Sequence, residues 1–350
     1  MLKRLMVGLI ASWLPVLPAF GDEPVDKSSN SRVEKGTVHF QPVRDQKNIP
    51  ERYRLEAHSF EYNMELIRDL PNSGVEVYHV RFPSPVATDC PENNTVHAEY
   101  YRPTSREAPA HAQNREGQGG TEPPFPGVIV LDITAGDQKL SRIIATQLAQ
   151  NRIAALFVQM AYYGSRRPPG SDLRLLTPNY QHTMAAVRQT VLDIRQATAW
   201  LEARPEIDAR RLGVLGTSLG SFMGSLAAEM EPKLSRVAVL LGGGGLVDAY
   251  YDDPRAETFR QLWEAMGGTK KKLAELIAPA DPLTCAANLK DRRVLIIAGR
   301  RDDIVPPKAA EALWRASGQQ KIIWYDCTHY GAVVYFLPAM RHIVQHFAEK

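Results

Sequence analysis

From about residue 127 onward, short apolar runs alternate with longer amphipathic stretches. Runs such as "GVIVLDI" (127–133) and "RVLIIAG" (293–299) are almost wholly apolar, as is typical of strands buried on both faces. The stretches between such runs, for example 139–152 and 180–204, repeat their apolar residues at the spacing of a helix. Parallel strands need crossover helices, so the pattern predicts an α/β fold with a mostly parallel central sheet and helices on both faces.

Three segments ahead of this region have a different pattern. Residues 54–66, 75–82 and 95–102 approach alternation and are rich in β-branched and aromatic residues, with turn residues between them. They predict an antiparallel N-terminal opening to the same sheet. Residues 103–126 are rich in Pro, Gly and polar side chains and predict a loop.

The first residues have the pattern of an export signal. Lys3 and Arg4 precede a short apolar run that ends in small residues, and an acidic stretch follows. We predict a signal peptide over residues 1–21, cut after Gly21, and hence a secreted or periplasmic protein. The alternative is a membrane anchor, but the run is short and contains two prolines. No later segment reaches the roughly 20 apolar residues of a spanning helix.

The rest of the chain is expected to form an arm and one large domain. Residues 22–74 make up an N-terminal arm and first strand region, because residues 22–50 have no periodic apolar pattern. Residues 75–350 form the domain. An insertion at about 246–290 is long enough to cap a site, and a plain crossover is the alternative.

Charge and cysteine content limit the classes of function. With 42 basic and 39 acidic side chains among 350 residues, the net charge of +3 gives no electrostatic basis for nucleic-acid binding. The three cysteines, Cys90, Cys285 and Cys327, allow one disulfide bond at most. A bridge between Cys285 and Cys327 and buried free thiols both stay open as alternatives.

One glycine-flanked serine stands where a strand pattern changes to a helix pattern. In "RLGVLGTSLG" (211–220), Gly216 and Gly220 lie two residues on either side of Ser218. A chain that turns sharply from strand to helix pushes one side chain outward, and the glycines leave room for that turn. The pattern predicts Ser218 as a nucleophile, and a tight turn without chemistry is the alternative.

Two further side chains complete a candidate triad. A serine hydroxyl needs a histidine to take its proton and a carboxylate to orient that histidine. His329 follows the last apolar run and Asp302 follows the run before it, so we expect both at the same sheet edge as Ser218. The other candidates for the acid are Asp248, Asp303 and Asp326.

Attack on a carbonyl carbon creates an oxyanion that needs preorganised backbone donors. One expected donor is the amide of Leu219, at the start of the helix after Ser218. The other is the amide of Ile133 or Thr134, just after the apolar run that begins at residue 127.

Three segments resemble the α/β-hydrolase superfamily. "IDARRLGVLGTSLG" (207–220) is similar to the nucleophile segment, "AGRRDDIVP" (298–306) to the acid turn and "YDCTHYG" (325–331) to the histidine loop. The resemblance covers about residue 75 to the end and is greatest to the dienelactone hydrolase and acetyl xylan esterase-like branch. Dienelactone hydrolases use a cysteine nucleophile, whereas this chain has a serine.

The resemblance also locates the second oxyanion donor. It implies that "LDITAGD" (131–137) supplies the donor strand end, where a histidine–glycine pair is common in the superfamily. Asp132 and Ile133 occupy those positions here, which leaves the register of the donor open by one residue.

The loop after the run at 153–160 is expected to wall the cleft. It carries Tyr162, Tyr163 and Arg166, which are the candidate substrate-binding residues. Arginine could meet an acidic group of the substrate, and a salt bridge within the loop is the alternative.

Together these features predict a carboxylic ester hydrolase that works through an acyl-enzyme on a small-molecule or polymer-borne ester. Such chemistry needs no metal and no organic cofactor. His342 and His346 have the spacing of metal ligands, but without a glutamate between them we expect a solvated helix face. The alternatives are a peptidase, a thioesterase or lactonase with the same triad, and a non-catalytic binding protein on the same scaffold. The pattern does not predict the oligomeric state.

Overall fold

The computed structural model describes residues 32–43, 46–104, 124–134 and 137–349, and these form a ten-stranded sheet between two layers of helices. The strands are β1 Val33–Phe40, β2 His58–Leu70, β3 Val75–Pro83, β4 Thr95–Pro103, β5 Phe125–Leu131, β6 Ala154–Val158, β7 Ile207–Thr217, β8 Leu234–Leu240, β9 Arg293–Gly299 and β10 Lys321–Tyr325. Their order across the sheet is β1-β2-β3-β4-β6-β5-β7-β8-β9-β10.

The sheet changes from antiparallel to parallel near its middle. Strands β1 to β4 pair antiparallel with their neighbours, and β4 pairs antiparallel with β6. From β6 to β10 every ladder is parallel. The predicted α/β fold with an antiparallel N-terminal opening is therefore confirmed.

Helices cover both faces of the sheet. They are α1 Lys139–Gln150, α2 Tyr180–Glu202, α3 Leu219–Met230, α4 Leu246–Tyr250, α5 Glu257–Ala265, α6 Lys270–Ile277, α7 Pro307–Ala316 and α8 Phe336–Ala348. Helices α1 and α8 bury Ile144 and Ile343 on one face. Helices α2, α3 and α7 bury Val187, Leu226 and Leu313 on the other. The β7, β9 and β10 carboxyl ends thus share one edge between these layers, where a site can form.

The segment between β8 and β9, where the sequence predicts an insertion at about 246–290, contains α4, α5 and α6. Val247, Tyr251 and Leu273 make a small apolar cluster within it. The Tyr250 hydroxyl donates a hydrogen bond to the carbonyl oxygen of Ile304, at 2.8 Å. The insertion therefore lies beside the loop that follows β9.

Strand β1 lies in the part of the arm where no periodic pattern was expected. Its inward positions include Glu34, which accepts a hydrogen bond from the Tyr62 hydroxyl, and Gly36, which packs against the same ring. Only Val38 and Phe40 are buried apolar residues of this strand. The strand was missed because half of its inward positions are not apolar.

His346 does not lie on a solvated helix face, so that expectation is wrong. The ring is buried in α8, and burial together with the nearby Arg236 lowers its pKa to about 4. A buried imidazole avoids its charged form because the interior solvates charge poorly.

The sequence also led to predictions about a signal peptide, a disulfide bond and membrane-spanning segments. The predicted signal peptide, residues 1–21, lies outside the described residues. Cys90, Cys285 and Cys327 are free thiols, so the bridge between Cys285 and Cys327 is absent. Within the described part of the chain, we find no helix with the length and apolar character to cross a bilayer.

Candidate active site

Ser218 occupies a sharp turn between β7 and α3. Its backbone has φ 51° and ψ −117°, a conformation that residues with side chains rarely adopt. A Cβ on Gly216 would overlap the backbone of Gly220, and a Cβ on Gly220 would lie 2.6 Å from the carbonyl oxygens of Leu131 and Asp132. Both glycines are thus needed for the close approach that presents the serine side chain.

The structure brings Ser218, His329 and Asp302 together in a hydrogen-bonded series. His329 Nε2 lies 3.1 Å from Ser218 Oγ, and His329 Nδ1 lies 2.8 Å from Asp302 Oδ2. All three residues are buried. The side chains come from the loops after β7, β9 and β10, as their positions after the apolar runs predicted.

The second oxygen of Asp302 is held by the backbone of its own loop. Oδ1 accepts hydrogen bonds from the amides of Ile304 (2.9 Å) and Val305 (2.8 Å). These bonds leave Oδ2 to face His329 Nδ1. A carboxylate at Nδ1 stabilises the tautomer in which the Nε2 lone pair faces the serine hydroxyl.

The other candidate acids have different partners. Asp248 pairs with Lys270, and Asp326 pairs with Arg301. Asp303 Oδ1 accepts a hydrogen bond from the backbone amide of His329, at 3.3 Å. Asp303 therefore supports the histidine loop, whereas Asp302 contacts the ring.

The predicted oxyanion donors lie on either side of the turn at Ser218. Leu219 is the first residue of α3, where backbone amides have no intrahelical partner. Asp132 approaches Gly220 closely, which brings the β5 end, with Ile133 and Thr134, next to the same turn.

Asp132 is buried in this loop, and one of its oxygens accepts a hydrogen bond from Ser141, at 3.0 Å. Burial raises the pKa of the Asp132 carboxyl, although the hydrogen bond from Ser141 acts in the opposite direction. The other oxygen, Oδ2, is buried and has no hydrogen-bond partner among the described residues.

Tyr162 and Tyr163 lie in the loop after β6 and are both buried. Tyr162 has φ 64°, and its ring packs against His182 with 4.6 Å between ring centroids. The Tyr163 hydroxyl has no hydrogen-bond partner among the described residues. Tyr163 therefore has a free buried donor near the strand ends.

Arg166 does not line the cleft, so its candidate role in substrate binding needs correction. Its side chain is fully buried and forms an ion pair with Asp193 of α2, at 2.8 Å. It also donates hydrogen bonds to the backbone carbonyls of Gln159 and Asn93. The guanidinium therefore connects the loop to α2 and to Asn93. The alternative was a salt bridge within the loop, whereas the observed partner, Asp193, lies outside the loop.

Two supporting residues escaped the sequence analysis. Ser221 Oγ donates a 2.6 Å hydrogen bond to the carbonyl oxygen of Ser218. Asp281 accepts hydrogen bonds from the amides of Gly245 and Leu246 and thereby fixes the glycine run after β8. Serine and aspartate in such segments are too common to be singled out without coordinates.

The described residues offer a cavity but no cluster of metal ligands. They contain no group of three or more His, Cys, Asp or Glu side chains arranged to hold a metal ion. A cavity of about 470 Å³ is lined by Leu173, Thr177, Pro178, Asn179 and His182. Its lining does not include the triad, and His182 of this lining contacts the Tyr162 ring.

Two protein families match the chain. The family described as alpha/beta hydrolase domain containing 18 matches residues 43–243, and the prolyl oligopeptidase family matches residues 183–327. No curated protein matches the chain as a relative.

Two of the most similar solved structures are acetyl xylan esterases. The enzyme from Paenibacillus sp. R4 has a TM-score of 0.61 at 18% identity, and the match covers 81% of this chain and 88% of that one. Acetyl xylan esterase 1 from Thermoanaerobacterium sp. JW/SL YS485 has a TM-score of 0.54 at 18% identity and covers 81% and 87%. At this identity the likeness establishes the fold, and it agrees with the resemblance found in the sequence.

Proposed function

Because this chain belongs to the family described as alpha/beta hydrolase domain containing 18, we propose that it is a serine hydrolase that cleaves carboxylic esters. The observation that carries the proposal is the series of hydrogen bonds from Ser218 through His329 to Asp302. A substrate would be a small-molecule or polymer-borne ester. The two solved neighbours described above are acetyl xylan esterases, which favours the same class.

The reaction begins when Ser218 Oγ bonds to the ester carbonyl carbon and gives its proton to His329 Nε2. Asp302 stabilises the imidazolium through the bond to Nδ1. The imidazolium then protonates the alcohol oxygen as the carbon–oxygen bond breaks, which leaves an acyl-enzyme. Water attacks the acyl carbon and gives a proton to His329, and His329 returns the proton to Ser218 Oγ as the bond from Oγ to the acyl carbon breaks and the carboxylic acid leaves.

Backbone amides stabilise the negative oxygen formed at each attack. Leu219 supplies one amide, and Ile133 or Thr134 at the end of β5 supplies the other. Loss of one such donor typically costs ~2.7 to 4 kcal/mol of transition-state stabilisation. Tyr163, with its free buried hydroxyl, and Tyr162 are the proposed contacts to the substrate.

A fluorophosphonate probe tests the nucleophile. We expect the wild-type protein to be labelled and to hydrolyse short acyl esters, and Ser218→Ala to lose both properties. The matched control is Ser225→Ala. Ser225 is a buried serine of α3, the helix that follows Ser218, and its hydroxyl has no hydrogen-bond partner among the described residues. Equal labelling of wild type and Ser218→Ala would refute the proposal, and absence of labelling and turnover in wild type would favour a non-catalytic binding protein.

A peptidase is the second candidate, because the prolyl oligopeptidase family matches residues 183–327. The same triad attacks amides as well as esters. Matched ester and amide substrates with one acyl group separate the two functions. Esters are intrinsically more reactive than amides, so the esterase is supported only if the ester is turned over faster by more than this difference in reactivity. Thioester and lactone substrates in the same panel test the remaining alternatives.

Export is part of the proposal and depends on the pattern of residues 1–21. We expect the mature protein, recovered from the medium or the cell envelope, to begin at Asp22. Edman sequencing or intact mass measures this directly. A cytoplasmic protein that retains Met1 or the apolar run would contradict export without affecting the proposed chemistry.

A further inference from the structure

Four large apolar side chains follow His329 and are exposed to solvent. The exposed fractions are 46% for Tyr330, 75% for Val333, 78% for Val334 and 66% for Leu337. We call these four residues the apolar rim. Large apolar side chains that cluster on a surface usually mark a binding region.

The local geometry connects the rim to the site. Residues Tyr330–Tyr335 form a 3₁₀ helix that begins directly after His329. In such a helix, residues three apart lie on one side and are about 6 Å apart along the axis, so Val333 stands over Tyr330. Tyr335 points to a different side and stacks on Tyr325 at the end of β10, with 4.5 Å between ring centroids.

Tyr330 marks the side of this helix that faces the catalytic loops. Its ring contacts the His329 ring edge-on, with 5.6 Å between centroids. Partial burial raises the pKa of the Tyr330 hydroxyl, and the nearby Asp303 and Asp302 carboxylates raise it further. The rim therefore begins at a residue whose ring contacts the catalytic histidine.

The position of the rim indicates which part of an ester it can contact. During acylation the histidine gives its proton to the oxygen of the leaving alcohol, so that alcohol must lie on the histidine side of the serine. Resting on the proposed function, we propose that the apolar rim binds the alcohol moiety, and that preferred substrates are esters of apolar alcohols. Burial of alkyl or aryl surface against the rim would supply the binding energy.

Two isomeric esters test this proposal without a change in overall hydrophobicity. Octyl acetate carries the apolar chain on the alcohol side, and ethyl octanoate carries it on the acyl side. All alkyl acetates form one acetyl-enzyme, so differences in kcat/KM between octyl and ethyl acetate arise in binding or acylation. We expect octyl acetate to exceed ethyl acetate by about tenfold in kcat/KM, measured below the solubility limit by acid release.

The double variant Val333→Ser/Val334→Ser removes the centre of the rim. It should lower kcat/KM for octyl acetate by about tenfold and leave ethyl acetate and ethyl octanoate within about twofold of wild type. Val33→Ser is the matched control, since Val33 is an exposed valine (49%) on β1 at the opposite edge of the sheet. This control should change none of the three values.

Other occupants of the rim give different results. Equal losses for octyl acetate and ethyl octanoate would point to adsorption at an apolar interface and overturn the proposal. A dimer in sedimentation that the double variant converts to a monomer, with all three esters affected alike, would identify the rim as a contact between copies and would also overturn it. If Ser218 is labelled but the alcohol series shows no dependence on chain length, this inference fails and the proposed function stands.

Discussion

Ser218 combines a strained backbone with an ordered hydroxyl. Its positive φ costs on the order of 1–3 kcal/mol, and such strain persists only where neighbours hold the chain. The Ser218 amide donates to the carbonyl of Leu240 at 2.8 Å, and Ser221 Oγ donates to the Ser218 carbonyl. These bonds on both sides of the residue fix the direction in which the hydroxyl faces His329.

Glu229, near the end of α3, is a buried acid whose carboxylate has no partner within the described structure to stabilise its charge. Neither carboxylate oxygen has a hydrogen-bond partner among the described residues. Burial raises the pKa of Glu229 well above 4.5, and the Asp281 carboxylate raises it further. As pH rises above about 4.5 the unfolded chain releases this proton first, so the free energy of unfolding falls until the folded-state pKa is reached.

We therefore expect Glu229→Gln to raise the midpoint of thermal unfolding at about pH 8 and to change it little at about pH 4. Glu231→Gln is the contrasting variant, because Glu231 is equally buried but pairs with Arg195 at 3.2 Å. Loss of that partner should destabilise by ~3–5 kcal/mol. If Glu229→Gln lowers the midpoint at both pH values, Glu229 has a stabilising partner and this account of it is wrong.

At the scale of elements, the contact between α3 and β5 depends on Gly220. Alanine usually stabilises a helix interior by up to about 1 kcal/mol relative to glycine, but here its Cβ would meet backbone oxygens at 2.6 Å. We expect Gly220→Ala to lower both kcat and the urea midpoint. Gly224→Ala in the same helix is the control, since its Cβ would meet the side chains of Val214 at 3.1 Å and Leu131 at 3.5 Å, and the nearest backbone atom would lie 3.9 Å away. Similar behaviour of both variants would exclude the close approach of α3 to β5.

The sequence predicted elements whose inward side chains are apolar and missed those whose inward side chains are not. The parallel strands and their crossover helices were predictable because burial on both faces demands unbroken apolar runs. Strand β1 was not, because Glu34 and Gly36 take inward positions. Arg166 and His346 were misplaced for a related reason: residues that are usually solvated are buried here with partners or in neutral form.

At the scale of the whole molecule, the candidate site depends on the convergence of three strand ends. Parallel strands with intervening helices place the ends of β7, β9 and β10 on one edge, so the sequence could predict that Ser218, Asp302 and His329 meet. The sequence favoured Asp302 by its position after an apolar run and left Asp303 as an alternative, because the choice between these neighbours depends on the direction of a side chain. The amides of Ile304 and Val305 decide it by fixing one oxygen of Asp302.

The central claim is that Ser218 and His329 act as one unit in ester hydrolysis. A double-mutant cycle with Ser218→Ala, His329→Ala and the double variant tests it most directly, by kcat for one short acyl ester. Residues that act as a unit have non-additive effects, so each single variant should lose several orders of magnitude in kcat and the double variant should lose no more. Losses that multiply in the double variant would mean that the two residues act independently, and would contradict the account.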